Sequence, residues 1–564
     1  MTERFGKIIL CGITLYEFIL FGAIGVLLQI AAPVYGELAP PAAGLSVQFS
    51  DVGISRLSYN GDLLFDAKTD PGGAFNVVEI MEEIGGKSVR AGGDQLLHTN
   101  SWDADHRTLT LSFRWGTVSV NYRLGVSQVG MAITLQNTTD DQTISGINCF
   151  PLALTFPKMP ADLQGSPHVT FAYDGPALVL VHFTSGAVTV VDEDGQAPFY
   201  CGFLTDNQTA QTNRFPVWAA TAPLSYMPTS WPVFDHPLPP HSSQTYHVSL
   251  RFGPPTATAA ELAPDAFETF TEAHPYTVNW PDHRPIGMMF IAATGPQSQS
   301  ATNPRGWFNN RAIDVITPAG IAEFHRGLLA FAERSIRIMK AADCQGMMTW
   351  DVEGEEYPDV TYAGDPRLAT TLAPELKQDN LIDQYFQLFR KAGLRVGVTI
   401  RPQKIVFHNG RPSQEYLTDP NAEADLLVAK IQYAEEHWGC SMFYIDSTSA
   451  NDSPTMLEQV HQRCPDVLLI PENANDSMYA VGAPFGSARS HRMATPPLIR
   501  ELYPKAFNVI DTTTAPLEQE APQLVQSVRE GCILFFHGWI PEEGVAIRRI
   551  YREAASLTPP PPVR

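Results

Sequence analysis

Two textures of hydrophobic patterning divide the chain. Between residues 45 and 252 apolar and polar positions alternate in short runs, as in Thr108-Leu-Thr-Leu-Ser-Phe-Arg-Trp115 followed, after Gly116-Thr117, by Val118-Ser-Val-Asn-Tyr-Arg-Leu124. Period-two alternation broken by Gly, Asp and Asn predicts strands with one face on a core. Further strands are expected at 131–136, 177–183, 187–191 and 245–252, which together make an all-β sandwich over 45–252. Residues 253–284 turn to Pro, Ala, Thr and acidic side chains and read as a linker with one short helix near 264–273. Beyond 285 continuous apolar runs alternate with helix-period segments, the pattern of parallel βα units covered on both faces.

In that second half strands are predicted at 286–293, 346–351, 395–401, 442–446, 467–472, 507–511 and 533–537. An eighth lies around 486–493, where Pro, Gly and Arg blur the pattern. The intervening helices fall at 319–342, 381–392, 422–437, 454–463 and 518–529. The expected fold class is multidomain: an all-β sandwich followed by an α/β (β/α)8 TIM-type barrel over 285–555. An open doubly wound sheet is the alternative, but no Gly-rich dinucleotide fingerprint follows any strand. The tail 556–564 is Pro-rich and is expected to be extended.

The first 44 residues obey a different logic. Arg4 and Lys7 precede a nearly uninterrupted apolar stretch over 8–32, long enough to cross a bilayer, with Ala31-Ala32-Pro33 at its end. This is an export element, and cleaved signal and uncleaved anchor both remain open. The chain is thus expected to be exported, and either periplasmic, extracellular or anchored through that segment.

At 564 residues there is room for two or three domains, and the net charge of −22 disfavours a nucleic-acid or anionic-membrane surface as main partner. Membrane contact is expected only through the N-terminal segment. Seven scattered cysteines without a C-x-x-C pair indicate neither a zinc cluster nor a disulfide scaffold.

The chemistry concentrates at the predicted strand ends. Ser441-Met-Phe-Tyr-Ile-Asp446 and Val467-Leu-Leu-Ile-Pro-Glu472 each read as a buried strand delivering one carboxylate at its C-terminal end, where a (β/α)8 barrel keeps its site. Paired carboxylates facing one cleft equip glycoside hydrolysis, with Asp446 as nucleophile and Glu472, next to the ladder-breaking Pro471, as proton donor. The competing readings are an Asp446 that caps a turn through Ser447 or Thr448, and a Glu472 that pairs with Arg489 or Arg492. Trp350, Asp351, Glu353, Arg401, Tyr444, Asp511, His537 and Trp539 lie at or beside the same rim. They offer apolar faces for a sugar ring and hydrogen-bonding groups for its hydroxyls, so an oligosaccharide or glycoconjugate is the expected substrate, with no cofactor.

A β-sandwich leading into a barrel with Asp on the fourth strand and Glu on the fifth resembles the retaining α-glycosidases. The pattern is shared by the α-amylase superfamily and the endo-α-N-acetylgalactosaminidase family, and the sandwich before the barrel looks more like the latter and the α-galactosidase group. The resemblance implies a retaining, α-directed glycosidase with Asp446 as nucleophile and Glu472 as acid/base. Amylases place an Arg two residues before the nucleophile and α-galactosidases a Lys, whereas Tyr444 stands here. In the α-galactosidase pattern the acid is an Asp on a later strand, which would be Asp511. Two rivals stand beside this reading. One is a non-catalytic carbohydrate-binding protein; the other is a metal-dependent hydrolase using His537, Asp511 and His408 or His491.

Overall fold

The computed structural model describes residues 44–557 except 85–86, 162–168, 173–176, 195–199, 205–211, 222–236, 293–297, 351, 354–362, 409–410, 418, 449–453, 489–492 and 515. The export segment, Asp351, His491, Arg489, Arg492 and most of the tail therefore lie outside the described residues. Among the described residues no helix is long and apolar enough to cross a membrane.

The N-terminal part is built from antiparallel strands. One seven-stranded sheet runs from Ala177–Phe183 through Gly186–Asp192, Ser243–Gly253, Gln128–Asn137, Gly116–Leu124 and Thr108–Phe113 to Leu97–Asp103. A second holds Asn76–Ile84, Thr143–Phe150, Tyr200–Leu204 and Arg214–Ala220 among its strands. Along Thr108–Phe113 every second residue is buried, so Leu109, Leu111 and Phe113 all face one way. They meet Val77, Ile147, Phe203 and Val217 of the other sheet in one apolar cluster. Period two is thus converted into a sandwich core.

The helix Pro264–Ala273 is fastened to the sandwich near its start, where Asp265 holds the buried Arg251 guanidinium of the last sandwich strand.

Eight parallel strands come next in the chain: Ile286–Met289, Gly346–Thr349, Arg395–Ile400, Cys440–Ile445, Leu468–Pro471, Phe485–Ser487, Val509–Asp511 and Ile533–His537. The first pairs with the eighth and the order runs 5-4-3-2-1-8-7-6, so the sheet is a nearly closed barrel. The seam lies between the fifth and sixth strands, where the amide of Ala483 donates to the carbonyl of Leu469 at 2.9 Å. The sixth strand has only three residues and sits at the start of the region expected for it. One helix that the periodicity does not predict, Pro541–Ser556, closes the ring after the eighth strand, with Pro541 at its first turn and Glu542 and Glu543 beside it.

Side chains divide by parity. Val396, Val398, Ile400, Phe443 and Ile445 face the helices, whereas Met288, Met348, Met442, Tyr444, Ile470 and Phe535 fill the barrel interior. On the third strand the interior position is Gly397, where a Cβ would come within 2.8 Å of that of Met442 and 3.1 Å of the Met348 Cε. Glycine there leaves room for the two methionines. Continuing the parity past each strand end puts Trp350, Arg401, Asp446, Glu472, Asp511 and His537 on the inward face at the C-terminal mouth.

Candidate active site

Asp446 is positioned by its strand and clamped by its neighbour. Its amide donates to the carbonyl of Ile400 at 2.9 Å, which keeps the strand pairing intact up to the carboxylate. Arg401, at the end of the third strand, donates to Asp446 Oδ2 from Nε at 2.9 Å and from Nη2 at 2.6 Å. Both side chains are nearly buried, so this ion pair holds its geometry. A basic partner is therefore present although Tyr444 occupies the position two residues back; it comes from the adjacent strand.

Arg401 is itself held from both sides. Its amide donates to the carbonyl of Gly364 at 2.9 Å, and a Cβ at residue 364, whose φ is +58°, would sit 2.6 Å from the Arg401 Cγ. Only glycine lets that loop lie on the arginine. From the other side Lys430, fully buried on the helix Pro420–Trp438, donates to the carbonyls of Arg401 at 2.7 Å and Gln403 at 3.0 Å.

Glu472 reaches the same point from the fifth strand. Its amide donates to the Ile445 carbonyl at 3.0 Å, and its Oε2 accepts the amide of Ser447 at 2.9 Å. Ser447 has a φ of +61°, a conformation that costs a non-glycine residue of order 1 kcal/mol and that turns its N–H toward Glu472. The loops after strands four and five are then laced together: Thr448 Oγ1 donates to the Asn473 carbonyl at 3.1 Å and Asn473 Nδ2 to the Thr448 carbonyl at 3.0 Å. Burial first, then the Asp446 charge, push the Glu472 carboxyl up to about 6. Arg401 forms its two-pronged bond with Asp446, and it is the Glu472 carboxyl that is raised.

The remaining predicted residues fall into three places. Tyr444 lies one layer below the pair, its ring 4.4 Å from that of Trp350 and 5.0 Å from Phe485. Burial and the carboxylates of Glu472, Asp446 and Asp511 raise its phenol well above the ordinary range, so it enters the site as a neutral O–H. Asp511 and His537 occupy the opposite arc. Asp511 is nearly buried and accepts the Thr513 amide at 2.9 Å, and burial raises its carboxyl. Trp539 packs against Phe290 and Phe331 and edge-on to His537, at centroid distances of 5.9, 6.1 and 4.7 Å.

Glu353 is not at the rim. It is fully buried, its Oε1 accepting the Asp365 amide at 2.7 Å, and burial pushes its carboxyl up to about 8. It belongs with Asp365 and Lys430 to a buried cluster behind Arg401, where substrate contact would first require exposing it.

Two residues outside the candidates drawn from the sequence have defined roles here. Glu543 accepts the His537 amide at 2.9 Å and faces its Nδ1 at 2.8 Å, fixing the ring. Lys430 falls in register with the buried Leu427 and Ala434 of its helix, and a lysine in an apolar stripe was the available signal. Among the described residues no three His, Cys, Asp or Glu side chains gather as a metal centre, and the six described cysteines are buried free thiols.

No family model matches the chain, and no curated relative does. Several solved structures share parts of the chain trace. A cycloalternan-forming enzyme from Listeria monocytogenes, in complex with a pentasaccharide substrate, is 8% identical over 88% of this chain and 56% of its own, with a TM-score of 0.37. A β-arabinopyranosidase is 10% identical over 78% of this chain and 65% of its own, with a TM-score of 0.29. A polysaccharide lyase is 11% identical over 41% and 35%, with a TM-score of 0.27. The chain thus spans less than two thirds of the length of each. All three names refer to saccharide chemistry, but scores this low carry no argument about activity.

Proposed function

We propose that this chain is an exported glycoside hydrolase that works with retention on an α-linked oligosaccharide or glycoconjugate. The observation that carries the reading is the unequal carboxyl pair at the C-terminal mouth. Asp446, tied to Arg401, is the nucleophile, and Glu472, raised to about 6 by burial and by the neighbouring Asp446 charge, is the proton donor. Retention rests on the resemblance of the Asp446 and Glu472 positions to the nucleophile and acid/base of the retaining α-glycosidases.

In the first step Asp446 attacks the anomeric carbon as Glu472 protonates the departing oxygen, giving a glycosyl-enzyme ester and a free hydroxyl. In the second Glu472, now a carboxylate, takes a proton from water, whose oxygen attacks the anomeric carbon and releases Asp446. Trp350 offers a ring face to the sugar, while Asp511 and His537 hydrogen-bond its hydroxyls. Arg4, Lys7 and the adjoining apolar stretch support the exported location.

The test is turnover of a panel of α- and β-aryl glycosides by wild type and by Asp446→Ala. The expected result is hydrolysis of at least one α-glycoside by wild type only. Sugar binding with no turnover by wild type of any member would instead favour a binding protein.

A further inference from the structure

On the outside of the barrel the helices Pro318–Ala341 and Pro541–Ser556 bound a furrow of about 880 Å³, far from the carboxyl pair in role and chemistry. The helices approach closely at Gly544, where a Cβ would lie 2.9 Å from the Ile338 Cγ2, so the floor is apolar. Its walls carry five guanidinium groups, Arg334 and Arg337 from one helix and Arg548, Arg549 and Arg552 from the other.

This is a local reversal in a chain of net charge −22. Few carboxylates answer it. Arg549 pairs with Glu518 at 2.7 Å, and Glu553 lines the wall. Arg548 donates to the Ala341 carbonyl, and Arg337 and Arg552 make no ion pair among the described residues. Val545 stands 72% exposed at the furrow on a helix whose other face already supplies Ile547 and Ile550 to the core. A solvated helix face would place a polar residue there.

We propose that this furrow docks an acidic amphipathic helix of a partner protein. Two parallel walls of guanidinium groups match carboxylates flanking an apolar stripe, and Val545 with the apolar floor matches the stripe itself. A helix laid between two others has the shape to reach the floor. A bilayer is flat and would touch the rim alone, and the lining has no aromatic ring on which a nucleic-acid base could stack.

The test is fluorescence anisotropy of a labelled amphipathic peptide of Leu and Glu titrated with the full chain, beside a scrambled peptide of the same composition and phosphatidylserine vesicles. The expected result is saturable binding of the patterned peptide, weakened roughly tenfold by Arg337→Glu with Arg552→Glu and lost progressively with salt. Val545→Glu, a change at an exposed position, is expected to weaken it similarly and serves as the second variant if the double charge reversal perturbs folding. Equal binding by wild type and both variants overturns the proposal. So does equal binding of the scrambled peptide, or capture by vesicles without capture of the peptide.

Discussion

The two mouths of the barrel are both lined with polar and charged side chains, yet they are built to opposite ends. At the N-terminal mouth Gln345 donates to the carbonyls of Asp282 and Arg284 and accepts the Trp280 indole, while Asp282 pairs with Arg284 and Arg395 at 2.9 and 2.8 Å. The Arg284 bonds hold the Asp282 carboxyl down to about 2, so its charge is constant over the working pH range. At the C-terminal mouth Glu472 faces another carboxyl and moves the other way, to about 6. The difference lies in the surroundings of each group: the Asp282 carboxyl is lowered by the guanidinium groups it bonds, whereas the Glu472 carboxyl, buried beside the Asp446 charge, is raised into the range where its protonation state changes.

The comparison breaks if the two mouths respond alike to mutation. Asp446→Ala is expected to lower turnover by roughly 10⁴-fold or more with an unchanged circular dichroism spectrum, whereas Asp282→Asn leaves turnover intact. Glu472→Gln comes next, with a loss of about 10² to 10⁴-fold on substrates with poor leaving groups and little on activated aryl glycosides. Because Glu472 must be protonated to donate, wild-type kcat/KM should fall as the pH rises through about 6. That limb should vanish in the glutamine variant; a limb that survives assigns the acid elsewhere, with Asp511 the first candidate.

Arg401→Met leaves the nearly buried Asp446 without its counter-ion and is expected to destabilise the fold by about 3 to 5 kcal/mol, read from urea unfolding. Glu353→Gln sharpens the comparison through pH. A carboxyl raised to about 8 in the folded chain binds its proton more tightly folded than unfolded. Its contribution is whole below the ordinary carboxylate range and is lost as the pH climbs through about 8. The variant should therefore melt like wild type at pH 4 and above it at pH 9. The smallest effect is expected at the other mouth, where Arg395→Ala removes a partly exposed pair and should cost about 1 kcal/mol or less with no change in turnover.

Much of this architecture was legible along the chain. Strand positions 286–293, 395–401 and 533–537 each contain an observed strand, because an apolar run bounded by polar residues carries its own period. The helix Pro541–Ser556 is not legible along the chain because its apolar positions are interleaved with arginines that line the outer furrow, which dilutes the stripe. Glu353 reads as a rim residue because it stands four positions past the end of a strand whose following residue, Trp350, does reach the mouth; its burial depends on Asp365 and Lys430, which lie elsewhere in the chain.

The sequence by itself determined the local facts: which runs form strands, and that Asp446 and Glu472 each follow one of two consecutive ones. Period and parity are properties of neighbours along the chain, and they need no knowledge of the rest. Only the tertiary structure decided that the Asp446 charge lies close enough to raise Glu472, that Arg401 from the neighbouring strand pairs with Asp446, and that Lys430 and Glu543 stand behind the site. Those relations depend on barrel closure, which sets the distance between strands and removes water from between them, and both effects come from residues far apart in sequence.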